Sequence, residues 1–220
     1  VVLCNPLFGN EEEKAQGILI QHGTALAHCT AWHQQAADVV RALKQAAPDA
    51  KAFIYTHQNL CTEPGHENKY GDSRAVDITG TPATTVYQPS PSLFLPTVGN
   101  SYGRALMETY KLILDSTDAN IYVDEIVASN VPAFGDYGET WDGCTVVIDP
   151  VSHAVLGKRS SAILLMQPWR EALMAYLRSK GKTAIANGVP FTRTMMGWGV
   201  QWFVECEPGD NTVVGAHLSH

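Results

Sequence analysis

Two adjacent acids close an apolar run, Ile121-Tyr122-Val123-Asp124-Glu125. Side chains alternate across an extended segment, so Asp124 and Glu125 point to opposite faces. With Ile121 and Val123 turned toward a packed layer, Tyr122 and Asp124 face the other way and Glu125 sits at the rim. A carboxylate held at a strand end can serve as nucleophile or general base, and a neighbouring acid of raised pKa as general acid. Glycoside cleavage needs two carboxyls in one cleft, ~5 Å apart for retention and ~6.5–9.5 Å apart for inversion. Glu205, which closes Val200-Gln201-Trp202-Phe203-Val204-Glu205, is the preferred partner of Asp124, with Glu125 as the other choice. Glu139 and Asp142 compete from a nearby loop. In Trp141-Asp142-Gly143 the ordinary reading of the Asp-Gly pair is a turn, which outweighs a catalytic one for Asp142.

Other polar residues sit where a substrate could meet them. His57 and Asn187 end apolar runs and could contact substrate hydroxyls; a structural histidine and a turn asparagine before Gly188 are the ordinary alternatives. Arg193 could hold an anionic substituent through a two-pronged contact, or be a solvated loop arginine. Trp141, Tyr137, Tyr70, Tyr102 and Trp198 fall in loops or at helix starts, where a sugar ring could stack, whereas Trp169, Trp202 and Phe203 read as core. His22, His28 and His33 are spaced by six and five residues, which matches neither HExxH nor a helical i,i+4 pair. No metal ligand set and no cofactor follows from these spacings, although a zinc site assembled from distant residues stays open. No GxSxG elbow supports serine chemistry. The cysteines Cys4, Cys29, Cys61, Cys144 and Cys206 contain no CxxC pair.

The elements that must position these residues alternate between strand and helix. Gly17 to His22, Lys51 to His57, Asn120 to Ile126, Lys182 to Gly188 and Val200 to Glu205 read as strands, with a weaker extended stretch from Thr84 to Leu95. Trp32 to Ala47 reads as a helix stopped by Pro48-Asp49. A second, from Tyr102 to Asp115, is capped by Asn100 or Ser101 and carries Leu106, Tyr110, Ile113 and Leu114 on one stripe. A third runs from Trp169 to Ser179. Residues 61 to 83, and an excursion from 130 to 160, read as loops. Strands separated by such helices argue for βα units and a parallel sheet.

The first βα turn, His22-Gly23-Thr24-Ala25-Leu26-Ala27-His28, lacks both GxGxxG and GxxxxGK[ST], which disfavours a nucleotide fold. Polar residues instead collect at strand C-termini: His22, His57, Asp124, Glu125, Asn187 and Glu205. A (β/α)₈ barrel places its active site there. Six countable strands in 220 residues fall short of eight. The expectation is therefore a single α/β domain over 1–220, TIM-barrel-like, incomplete or a piece of a larger barrel and of a longer chain.

Composition sets the outer bounds. Lys and Arg number 15 against 22 Asp and Glu, a net charge of −7, with 45% hydrophobic residues. That disfavours nucleic acid as a partner, which would call for a basic face. No apolar run approaches the ~20 residues of a membrane-spanning helix, so no membrane insertion is expected. Oligomeric state and compartment do not follow from composition.

Asn100-Ser101-Tyr102-Gly103-Arg104, Tyr122-Val123-Asp124-Glu125, Trp141-Asp142-Gly143 and Ile185-Ala186-Asn187-Gly188 together resemble glycoside-hydrolase-type (β/α)₈ proteins over residues 50 to 205. In those proteins a strand reading Tyr-hydrophobic-Asp-Glu ends at the substrate cleft. The resemblance implies a barrel, a polysaccharide or glycoconjugate substrate, and acid-base carboxylates at Asp124 and Glu125. Such a substrate would favour a secreted or extracellular protein. Two alternatives stand beside it: a non-catalytic carbohydrate-binding or structural protein on a degenerate barrel, and a metal-dependent hydrolase.

Overall fold

A computed structural model describes residues 2–3, 26–61, 63, 65–85, 92–127 and 131–204, without the side chains of 2–3 and 26–34. The expected strand at 17–22, His22, Glu205, Cys4 and Cys206 lie outside these residues, as do the side chains of His28, Cys29 and His33. The centre is a five-stranded sheet of β1 (Val2–Leu3), β2 (Phe53–His57), β3 (Asn120–Asp124), β8 (Ala184–Asn187) and β9 (Gln201–Phe203). Its spatial order is β1-β2-β3-β8-β9, and every neighbouring pair is parallel. Parallel neighbours need crossovers. Helix α1 (Leu26–Ala46) lies between β1 and β2, α3 (Ser101–Ser116) between β2 and β3, and α4 (Ala162–Ser179) between β3 and β8. Thus the chain is a mixed α/β protein with a parallel sheet. An eight-stranded closed barrel is not present among the described residues.

The helices share one face of the sheet, where α1 packs on α3 and α3 on α4. Ile54, Ile121, Val123, Ala184 and Ala186 point into that layer. They meet Ala36 and Val40 of α1, Leu106 and Ile113 of α3, and Trp169, Leu173 and Leu177 of α4. Each large aliphatic buried there contributes roughly 1.5–3 kcal/mol. Asn100 starts α3 by accepting from the Gly103 backbone N–H at 2.8 Å, a cap worth about 1 kcal/mol. Because the helices cover one face, the alternate residues Tyr55, His57, Tyr122, Asp124 and Asn187 emerge on the other.

Three expectations need correction. Helix α4 begins at Ala162, seven residues before Trp169, and runs through Pro168. Tertiary packing overrides the proline: Ala162 and Met166 are buried against Leu60, Leu93 and Leu95 in a second apolar cluster. The excursion after β3 is also more ordered than a loop. There β4 (Phe134–Gly135) pairs with β7 (Ser160–Ser161), and β5 (Val146–Ile148) pairs with β6 (Val155–Lys158), both antiparallel. The segment after β2 likewise holds a short helix α2 (His66–Lys69) and a 3₁₀ turn at Gly71–Ser73. No helix among the described residues is long and apolar enough to cross a membrane.

Candidate functional site

The polar group at the C-terminal edge is assembled by strand register. His57 lies opposite Asp124, and Asn187 lies one step beyond the Val123–Ala186 pair. Tyr55 precedes His57 by two residues and so shares its face. Its hydroxyl donates a short hydrogen bond to Asp124 Oδ2. Asn187 Nδ2 donates to Asp124 Oδ1 at 2.6 Å, and the Glu125 backbone N–H donates to the same oxygen at 3.0 Å. Three donors from three segments therefore orient both oxygens of one carboxylate. The Tyr55 and Tyr122 rings stack with centroids 5.6 Å apart, and Tyr122 meets Phe203 at 6.1 Å. An aromatic band thus runs across the sheet face beneath Asp124.

Glu125 turns off this edge. Its φ is +48°, in the left-handed region that non-glycine residues seldom adopt. Its carboxylate lies 3.8 Å from His57 Nε2. The His57 Nδ1 accepts from the backbone N–H groups of Asn59 at 3.1 Å and Leu60 at 3.2 Å. An atom that accepts two N–H bonds carries no proton, so the ring proton sits on Nε2, facing Glu125. The pair is a neutral imidazole beside a carboxyl group.

Gly188 lets β8 end where it does. Its φ is +127°, and a Cβ there would lie 2.5 Å from Val127 Cγ2. Only glycine allows the chain after Asn187 to lie this close to the turn that follows Glu125.

The remaining candidates are held elsewhere. Tyr102 is buried in the helix-side core, donating to the Leu60 carbonyl at 3.1 Å and packing on Phe94 and Tyr70. Trp141 donates to the Thr145 carbonyl at 2.7 Å, with Lys158 Nζ 4.5 Å from its ring centre. Asp142 organises its own loop. It accepts from the N–H groups of Cys144, Thr145 and Ser161 at 3.0, 2.8 and 2.7 Å, and from the Thr145 hydroxyl. Burial raises its pKa, but these hydrogen bonds outweigh burial and hold the carboxyl down at about 2. Arg193 is exposed in the short helix α5 (Arg193–Met196), which follows β8. Trp198 is buried and stacks on Trp202, whereas Phe203 is half-exposed on the sheet face opposite the helices rather than in the core.

The edge holds further residues that sequence reasoning passed over. Tyr55 was open to detection, since alternation puts it on the face of His57. Gln58 gave no local signal. Arg170 did: it interrupts the helical stripe Met166, Trp169, Leu173 and Leu177, and it is fully buried. A separate cavity of about 410 Å³ lies between the loop after β2 and the excursion after β3. Asp72, Arg74, Asn100, Tyr137 and Leu165 line it, with none of the Asp124 group. Burial pushes the Tyr137 phenol up to about 12, although its oxygen accepts from the Val76 N–H.

Among the described residues, no group of three or more His, Cys, Asp or Glu side chains could hold a metal ion. The chain matches no protein-family model and no curated protein sequence at a significant level.

Proposed function

We propose that the chain is a glycoside hydrolase whose parallel sheet is part of a (β/α)₈-like barrel, acting on a polysaccharide or glycoconjugate. Asp124 is the nucleophile or base, and Glu125 or Glu205 the general acid. The observation that carries this is the gathering of Tyr55, Asn187 and the Glu125 amide on the Asp124 carboxylate, at the shared C-terminal edge of adjacent parallel strands. Such edges host the active sites of βα proteins. Orientation is what a carboxylate attacking one anomeric centre requires. The sequential strand order, with helices packed together on one face, is the winding a barrel uses. The tyrosine band beneath Asp124 suits a sugar ring, which presents apolar C–H groups to aromatic faces.

A panel of glycans incubated with native protein and with Asp124→Asn tests this. Loss of the ionised oxygen should lower turnover by about 10²–10⁴-fold. Equal turnover by the two proteins removes Asp124 from the chemistry. A non-catalytic carbohydrate-binding protein is the second reading, favoured by the fact that both Asp124 oxygens already accept protein hydrogen bonds. Glycan binding without turnover in the native protein would select it.

A further inference from the structure

Glu125 adopts its left-handed backbone at the cost such conformations carry, and something must hold it there. The Gln58 side chain meets its carbonyl: Nε2 donates to Glu125 O at 2.6 Å. Behind Gln58 stands Arg170 of α4, whose Nε donates to Gln58 Oε1 at 3.3 Å. Arg170 also donates to the Ile163 carbonyl at 3.3 Å and approaches Met166 Sδ at 3.8 Å. Among the described residues no carboxylate pairs with it. Burial alone pulls its pKa down to about 9. A buried guanidinium without an acidic partner is costly, so its presence calls for a use.

Donor and acceptor chemistry supplies one. A guanidinium can only donate and a carbonyl can only accept. The Gln58 atom facing Arg170 must therefore be its oxygen, and the atom facing Glu125 must be its nitrogen. Arg170 thus forbids the amide flip that would set the Gln58 oxygen against the Glu125 carbonyl.

We infer that Arg170 and Gln58 are positioning residues, a two-step relay from α4 that locks the Glu125 backbone and so aims its carboxyl beside His57. This deepens the glycosidase reading and rests on it, since Glu125 is there a candidate general acid. Neither residue touches the substrate; both act through Glu125.

The test separates positioning from packing. Gln58→Glu nearly preserves shape and gives Arg170 a carboxylate, but replaces the donor to Glu125 O with an acceptor. The melting temperature should stay at or above the native value and KM should stay within about twofold. The kcat should fall by as much as about 10²-fold, the scale of a misplacement of about 1 Å. Native kcat in a folded Gln58→Glu protein overturns the relay. Gln58→Met removes the donor without adding charge, and a structure of that variant should show residue 125 returning to negative φ. Retention of φ near +48° also overturns it. If the native protein turns over no glycan, the glycosidase reading fails, while the backbone angle at 125 still decides the relay.

Discussion

Asp124 and Asp142 are both aspartates saturated with hydrogen bonds, yet they are built in opposite ways. The partners of Asp142 come from its own loop: Cys144 and Thr145 two and three residues on, with Ser161 on the strand that closes the excursion. Those of Asp124, apart from the next amide, come from Tyr55 and Asn187, separated from it by 69 and 63 residues. One carboxylate folds a loop and the other is delivered by the sheet. Asp142 Oδ1 accepts from the backbone N–H groups of Cys144 and Thr145, and Oδ2 from the Ser161 N–H and the Thr145 hydroxyl, which is what a structural aspartate needs. Asp124 is held chiefly by side chains that meet at an edge with a second acid and a histidine beside it. Full hydrogen bonding therefore does not separate a structural acid from a candidate catalytic one; the origin of the donors does.

The largest effect expected from breaking this contrast is at Asn187. Asn187→Asp replaces a donor to Asp124 Oδ1 with a second carboxylate at 2.6 Å. Two carboxylates that share a site cannot both ionise easily, so the folded pKa of the pair rises above its unfolded value. An acid with a raised folded pKa is destabilising when ionised. The penalty is present at neutral pH and relieved as pH falls through the pair's folded pKa toward the unfolded one near 4. Urea unfolding at pH 7 should show a loss of about 2 kcal/mol or more. The difference from native should shrink as the solution is acidified below pH 5. A constant difference across pH would show that the introduced carboxyl and that of Asp124 do not interact as charges.

How much of this was legible follows from the same contrast. The alternation of Ile121, Tyr122, Val123 and Asp124 gave the facing of β3, and Ile121 and Val123 are indeed fully buried. The parallel sheet and the body of α3 were readable from apolar spacing, while the residue types at its start left Asn100 and Ser101 both open as the cap that Asn100 provides. The pairing of Asp124 with Asn187 was not, because register between distant strands is set by packing and leaves no local trace. Tyr102 misled for a related reason. A tyrosine at a helix start looks available for ligand, but its ring fills the core and its hydroxyl is taken up by Leu60. Pro168 hid the first turns of α4, since the contacts that hold Ala162 and Met166 come from loops far away in sequence.

A smaller effect is expected when the loop-bound acid is removed. Asp142→Ala strips the acceptor from three backbone N–H groups and one hydroxyl, all in a partly solvated loop where water replaces some of the loss. The expected cost is about 1–2 kcal/mol by urea unfolding. Amide exchange should accelerate at Cys144, Thr145 and Ser161 but not in β3 or β8. Turnover, where Asp124 supports it, should remain within a few-fold of native. A loss comparable to that of Asp124→Asn would make Asp142 a participant in the chemistry and erase the distinction.

The smallest effect is the acid limb of Asp142 itself. Its folded pKa of about 2 lies below the ordinary aspartate value of 3.8, so the ionised form is bound more tightly by the fold than by the unfolded chain. The stability this contributes is fully present above pH ~4 and is lost as pH falls from there toward 2. The loop is partly open to solvent, and screening keeps the contribution to about 1 kcal/mol or less. In Asp142→Asn the residue no longer titrates. The difference in urea midpoint between native and variant should therefore be largest at neutral pH and narrow between pH 4 and pH 2. A difference that stays flat through that window would mean that neutral Asp142 serves its loop as well as the charged form. The Asp142 carboxyl would then titrate in the fold as it does in the unfolded chain, and its hydrogen bonds would hold the loop without favouring the charged form.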